Sequence, residues 1–112
     1  RSLLMMSFTR NIVVFSYRNE RLPSLPILDC RGIRNPKYDV LSDEEKIEGI
    51  KKSPLFEALV AGGVAMLECG SIAVGCTHGQ HRSMAVALEI AEQANAAYSI
   101  KVCKAEEMGL GR

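Results

Sequence analysis

The fold is decided by the stretch Ser71-Ile-Ala-Val-Gly-Cys-Thr-His-Gly-Gln-His-Arg-Ser83, in which an apolar run leads into a polar loop. Residues 71–76 are apolar without alternation, which is typical of a central strand covered on both faces. After the loop, apolar side chains recur at helical spacing; they are Val86, Ala87, Ile90, Ala91 and Ala94. The stretch therefore predicts a buried strand, a tight loop and a helix, in that order.

Three further strands are predicted on either side of this unit. Asn11-Ile-Val-Val-Phe15 and Leu25-Pro-Ile-Leu-Asp-Cys30 are apolar runs joined by a polar, proline-containing loop. Residues 98–103 alternate between apolar and polar, which indicates a last, half-exposed strand.

Two helices are predicted between residues 42 and 68. Ser42-Asp-Glu-Glu45 fits a capping box, so a short acidic helix should begin there and run to about Lys51. Ser53 and Pro54 fit the N-cap and first position of a second helix, which should pack closely at Gly63 and stop at Gly70.

The element order is strand, strand, helix, helix, strand, helix, strand. This order predicts an α/β fold, a small three-layer sandwich with a mostly parallel four-stranded sheet. Ligands of such folds bind at the carboxyl ends of the strands, where the loop after Cys76 is expected.

The 112 residues suit one compact domain. We expect a single domain over residues 9–112, and residues 1–8 to be an N-terminal extension or a tag remnant. The longest apolar runs are shorter than the roughly 20 residues that span a bilayer, so no membrane partner and a cytoplasmic location are predicted. The four cysteines are scattered, which favours reduced thiols.

The loop itself indicates a site for a phosphate-like anion. Gly75 and Gly79 are expected to let the backbone turn sharply, and the amides at the start of the next helix are donors at the positive end of its dipole. Arg82 offers a planar fork for an oxyanion, and Thr77 and Ser83 offer hydroxyls. Both histidines of the chain, His78 and His81, lie in the same loop.

Cys76 gives the loop an alternative function. The helix dipole and Arg82 favour its thiolate form, and the pattern Cys-x-x-Gly-x-x-Arg-Ser resembles the signature of the cysteine-dependent phosphatases. In that reading Cys76 is the nucleophile, Arg82 holds the phosphoryl oxygens, and Asp29 or Asp39 is the acid. The residue before the signature cysteine is usually histidine, whereas this chain has Gly75.

A metal site is a weaker alternative. Cys76, His78 and His81 are residue types that bind metals, but their spacing matches no standard zinc pattern. We therefore predict neither a metal nor a cofactor.

The longer string Ile72-Ala-Val-Gly-Cys-Thr-His-Gly-Gln-His-Arg-Ser83 resembles the Gly-Cys-Thr-Gly-Gly-Gln-His-Arg-Ser loop of the RapZ family's C-terminal domain. Upstream, Leu28-Asp-Cys-Arg31 with Asn35-Pro36 is similar to that domain's Phe-Asp-Val-Arg and Asn-Pro segment. The similarity extends over about residues 10 to 100. RapZ proteins also have an N-terminal nucleotide-binding domain with a Walker A loop. The 112 residues contain no Walker A sequence, so we do not expect ATP hydrolysis of that type from them.

The resemblance implies a domain that senses an amino-sugar phosphate such as glucosamine-6-phosphate and binds small RNA. By this resemblance the residues that would cradle the phosphate are Thr77, Gly79, Gln80, His81 and Arg82, with Asp29, Arg31 and Asn35 lining the same pocket from the neighbouring strand. His78 and Ser83 are expected to contact the ligand from their residue types and their places in the loop. His78 departs from the family, which has glycine there, and adds bulk beside the anion.

The leading hypothesis is therefore a module that binds phosphate, a phosphorylated small molecule or RNA without cleaving a bond. Residues 1–37 carry seven basic and two acidic side chains, and residues 38–112 carry seven and eleven, so one end of the chain suits an anionic partner. A second copy of the chain is a further candidate partner. The alternatives are a cysteine-dependent phosphatase and a purely structural or protein-interaction domain.

Overall fold

Four strands form one sheet in the computed structural model, which describes residues 9–19, 21–34, 41–78 and 81–109. The strands are β1 (Thr9–Ser16), β2 (Ile27–Asp29), β3 (Ile72–Cys76) and β4 (Ser99–Lys104), in the spatial order β2-β3-β1-β4. Every pair is parallel. The predicted α/β fold with a four-stranded sheet is confirmed.

The described residues contain three α-helices. They are α1 (Asp43–Lys51), α2 (Pro54–Met66) and α3 (Arg82–Ala94), and short 3-10 helices cover Leu67–Cys69 and Ala105–Met108. None of these helices has the length and apolar character needed to cross a membrane.

The sheet carries a different core on each face. Helix α3 contacts β1, β3 and β4, and α2 contacts β2, so the helices lie together on one side. The buried side chains of that core include Ile12, Val14, Ile72, Val74, Val60, Val86 and Ile90. The other face is covered more thinly, by Tyr17 and Leu25 of the β1–β2 connection and by Ala105, which pack on Val13, Phe15, Ala73 and Cys103.

Both predicted helix starts are confirmed. The Glu45 amide donates to Ser42 Oγ at 3.2 Å, and the Ser42 amide donates to Glu45 Oε1 at 2.9 Å, which completes the capping box. Ser53 caps α2, whose first residue is Pro54.

Strand β2 is shorter than predicted. It starts at Ile27 because Pro26 has no N–H group to donate to a neighbouring strand. The Pro26 carbonyl still accepts a hydrogen bond from the Ala73 amide at 2.9 Å. This bond aligns β2 with β3 one residue before the regular ladder begins.

Gly75 has a different role from the predicted one. It lies inside β3, where a Cβ atom would come within 2.6 Å of Phe15 Cε1, so its missing side chain makes room for an aromatic ring. The expectation that the chain turns sharply at Gly75 is wrong. Gly70, by contrast, ends the helical segment as predicted, with a φ of 137°.

Gly63 sets the distance between α2 and α3, as predicted. A Cβ atom at this position would lie 2.9 Å from Ile90 Cγ1 and still closer to Ile90 Cδ1, whereas one at Gly62 would lie 4.0 Å from its nearest neighbour, Leu28 Cδ1. The two adjacent glycines therefore differ in what an added methyl group would meet.

We predict that Gly63→Ala lowers the free energy of unfolding by about 1–3 kcal/mol, because the methyl group overpacks the α2–α3 contact. Gly62→Ala is the matched control and should be neutral or stabilising by up to about 1 kcal/mol, because alanine favours a helix over glycine. Urea denaturation of the three proteins measures both effects. Equal losses in the two variants would mean that Gly63 does not set the helix separation.

Candidate anion-binding site

The carboxyl ends of three strands meet at one edge of the sheet. Ser16 of β1 is in register with Cys76 of β3, and Asp29 of β2 is in register with Gly75. Helix α3 also begins at this edge, after the loop that follows Cys76. The predicted loop therefore lies beside the segments that follow β1 and β2.

Cys76 and Ser83 connect the end of β3 to the first turn of α3. Cys76 is 2% exposed and Ser83 is fully buried, and their Sγ and Oγ atoms are 3.2 Å apart. The Ser83 hydroxyl thus points into the protein rather than toward solvent. Both side chains are buried beneath the loop, on the side away from solvent.

The first residue of the loop is held from β1. Ser16 Oγ donates to the Thr77 carbonyl at 2.6 Å, and the Arg18 amide donates to Ser16 Oγ at 3.0 Å. The Tyr17 amide donates to the Cys76 carbonyl at 3.1 Å. Thr77 itself is half-buried, and its carbonyl is held by the bond from Ser16.

The start of α3 presents backbone donors. His81 occupies the N-cap position without a side-chain cap, and the first helical bond runs from the Ala85 amide to the His81 carbonyl. The N–H groups of the first turn therefore have no intrahelical acceptor and lie at the positive end of the helix dipole. His81 Nε2 instead lies 3.0 Å from Asp43 Oδ1, at the first turn of α1.

Arg82 lies beneath this site. Its side chain is 6% exposed, and Nη1 donates to the carbonyl of Arg31 at 3.1 Å and to that of Ile33 at 2.9 Å. The sequence predicts that the guanidinium group faces an oxyanion. In the structure its Nη1 atom instead donates to these two backbone carbonyls. Only Nε and Nη2 remain outside the two bonds.

Asp29 and Arg31 form an ion pair on the β2 side. Arg31 Nη2 donates to Asp29 Oδ2 at 2.8 Å and Arg31 Nε donates to Asp29 Oδ1 at 3.0 Å, while the guanidinium carbon lies 3.7 Å from the centre of the Tyr17 ring. The hydrogen bond from Arg31 lowers the pKa of Asp29. Asp29 is therefore a fixed negative charge at neutral pH.

Cys30 lies beside Cys76 but faces the core. Burial raises the pKa of the Cys30 thiol to about 12, with a smaller contribution from Cys76. Cys30 is consequently a neutral packing residue at neutral pH.

The structure brings together most of the predicted site residues. Asp29, Arg31, Cys76, Thr77, His81, Arg82 and Ser83 lie at the same edge of the sheet, and His78 is exposed in the loop after Thr77. Gly79, Gln80, Asn35 and Asp39 lie outside the described residues. No group of three side chains able to hold a metal occurs within the described ranges.

Sequence reasoning missed four contributors. Ser16 and Tyr17 follow β1, and the rule that parallel strands end at one edge could have found them. Cys30 could have been found in the same way, from its place directly after β2. Asp43 had no such signal, because its contact with His81 joins residues 38 positions apart.

The fold and the site define a parallel α/β domain with a polar loop between a buried central strand and a helix start. Residues 54–107 match the model of the RapZ C-terminal domain family, which confirms the predicted family resemblance over that range. The match includes the loop but not the predicted similarity at residues 28–36. No curated protein and no solved structure matches the chain.

We predict that Arg31→Gln raises the pKa of Asp29 toward its ordinary value, because it removes the hydrogen bond that lowers it most. A carboxyl group with a lowered pKa stabilises the folded state at pH values above the usual carboxyl range, and this contribution is lost as the pH falls through the folded-state pKa. In Arg31→Gln the free energy of unfolding should therefore fall less steeply as the pH is lowered through the carboxyl range.

A pH titration of the Asp29 carboxyl carbon by NMR measures the change. Arg34→Gln is the matched control, since it removes a nearby exposed charge outside the ion pair. An unchanged Asp29 titration in Arg31→Gln would show that the ion pair is absent in solution.

Proposed function

We propose that this domain binds a phosphorylated small molecule at the carboxyl edge of its sheet, without cleaving a bond. The observation that carries the proposal is the start of α3, whose first-turn amides have no side-chain cap. This helix start is joined to the end of β3 by the Cys76–Ser83 contact, and Thr77 after β3 is bonded to Ser16 of β1. Such a helix start favours a phosphate group through both its donors and its dipole.

Several groups of the loop and of the start of α3 would contact the phosphate. The phosphate would accept hydrogen bonds from the Thr77 hydroxyl, from the amides of Gly79, Gln80 and the first turn of α3, and from His81. Arg82 would add positive charge from beneath the loop. Ser83 would contribute its backbone amide, because its hydroxyl is committed to Cys76.

The β2 side would contact the rest of the ligand. Asp29 and Arg31 form a charged pair of which each side chain is about half exposed, 44% and 51% respectively. A ligand with an ammonium group or hydroxyls beside its phosphate suits this pair, and Asn35 would contribute from the same segment. The RapZ resemblance implies such a ligand, an amino-sugar phosphate.

RNA is the second candidate, and one observation favours it. Arg18 follows β1, and Arg31 and Arg34 follow β2; all three are exposed near the carboxyl edge of the sheet. Arg21, in the β1–β2 connection, is also exposed. A row of arginines beside a phosphate site suits a polyanion. RNA binding would lose affinity steeply as salt is raised, because several phosphate contacts release counterions.

Hydrolysis is disfavoured by the state of Asp29. A general acid at neutral pH needs a raised pKa, whereas Arg31 lowers the pKa of Asp29. Cys76 is also 2% exposed and 3.2 Å from Ser83 Oγ, beneath the loop rather than on its surface. The geometry therefore favours binding over phosphoryl transfer.

The test is calorimetric titration of the domain with inorganic phosphate, glucosamine-6-phosphate and a short structured RNA. We expect saturable binding of the two small anions, and Thr77→Val should weaken it roughly tenfold or more, because a hydrogen bond to a charged group is lost while the side-chain shape is kept. Thr9→Val is the matched control, at the opposite end of β1.

Several outcomes would count against the proposal. Absence of phosphate binding in the wild type, or equal affinities in Thr77→Val and wild type, would remove the loop as the site. Tight RNA binding with a steep salt dependence and no response to phosphate would favour the RNA function instead.

We predict no Cys76-dependent turnover of para-nitrophenyl phosphate. Cys76→Ser should retain phosphate affinity within about threefold, because serine can replace the contact with Ser83 and the phosphate is held by other groups. A colorimetric assay on the calorimetry sample provides the measurement. Turnover by the wild type that disappears in Cys76→Ser would identify a phosphatase.

A further inference from the structure

Arg82 contacts both sides of the proposed site. Its backbone starts α3, and its side chain reaches the segment after β2, 49 and 51 positions earlier in the chain. We propose that Arg82 is a positioning residue that holds residues 31–34 against the start of α3, so that the two walls of the anion site respond to a ligand together. This rests on the proposed function.

Both hydrogen bonds of the Arg82 side chain go to carbonyls of one turn. The two carbonyls that Arg82 contacts, those of Arg31 and Ile33, belong to a tight turn closed by a hydrogen bond from the Ile33 amide to the Cys30 carbonyl at 3.2 Å. A planar guanidinium nitrogen with two N–H groups matches two carbonyls of one turn. Without these donors the turn would lose two hydrogen bonds on its inner side.

The turn carries the charged groups of the second wall. Arg31 projects from it toward Asp29 and Tyr17, while the side chain of Ile33 is 1% exposed and anchors the turn in the core. The place of the Asp29–Arg31 pair is thus set by main-chain atoms that Arg82 holds. A shift of the α3 start on anion binding would reach the pair through Arg82.

A purely direct role for Arg82 fits the geometry less well. The side chain is 6% exposed, and the Nη1 edge is already bonded to protein carbonyls. Its charge can still attract an anion, but its hydrogen-bonding geometry is directed to the turn. The positioning role therefore predicts an effect in the free protein, before any ligand is added.

The experiment is amide hydrogen exchange by NMR, with the Ile33 amide as reporter. Arg82→Met keeps the length of the side chain and removes its donors, so Ile33 should exchange at least roughly tenfold faster than in the wild type. Arg82→Lys, which keeps a donor, should give an intermediate rate. The Ala73 amide, bonded to the Pro26 carbonyl at 2.9 Å, should remain unchanged in both.

The same exchange rate is also measured with phosphate present and in a control variant. Saturating inorganic phosphate should slow Ile33 exchange in the wild type and leave it unaltered in Arg82→Met. Lys104→Met removes an exposed cation at the carboxyl end of β4 and should keep both the wild-type rate and the wild-type response.

The outcomes separate this inference from the proposed function. Unchanged Ile33 exchange in both Arg82 variants, with weakened phosphate binding, would overturn the positioning role and leave a direct one. Faster Ile33 exchange in Arg82→Met, together with no phosphate binding by the wild type, would support the contact with the turn and overturn the anion site. An equal phosphate response in wild type and Arg82→Met would overturn the coupling.

Discussion

The parallel pairing of β3 with both β1 and β2 is the constraint on which the rest of the structure depends. All five residues of β3 are buried, and its neighbours run in the same direction, so three chain segments leave the sheet at one edge. Helix α3 must begin at this edge because it follows β3 after a short loop. The helix start, Ser16 at the end of β1, Thr77 after β3 and the Asp29–Arg31 pair are therefore neighbours as a result of topology.

Much of the fold could be predicted because its signals are local. The capping box at Ser42, the Ser53-Pro54 start and the stop at Gly70 each depend on residues within one turn, and each occurs as expected. Gly63 was also identified, because helical spacing placed it on the packed face of α2. The ends of the short strand β2 were less accurate, because its limits depend on Pro26 and on pairing with β3, which is distant in sequence.

The site was predictable as a place and less so as a set of contacts. The loop after Cys76 was identified from residue types alone, but the direction of each side chain depends on partners distant in sequence. The inward-facing Ser83 hydroxyl, the Arg82 bonds to a turn and the His81–Asp43 contact are of this kind. Residue types indicate which groups are present, whereas only the packing decides which of them a ligand can reach.

The close approach of Phe15 to Gly75 has a consequence for the evolution of this loop. The phosphatase signature that Cys76 resembles usually has histidine directly before the cysteine, yet even a Cβ atom at Gly75 would come within 2.6 Å of the Phe15 ring. Replacing Gly75 with histidine would thus displace Phe15 from the core on the sheet face opposite the helices. A side chain at position 75 therefore calls for a change at position 15 as well, so packing on the face opposite the helices couples these two positions.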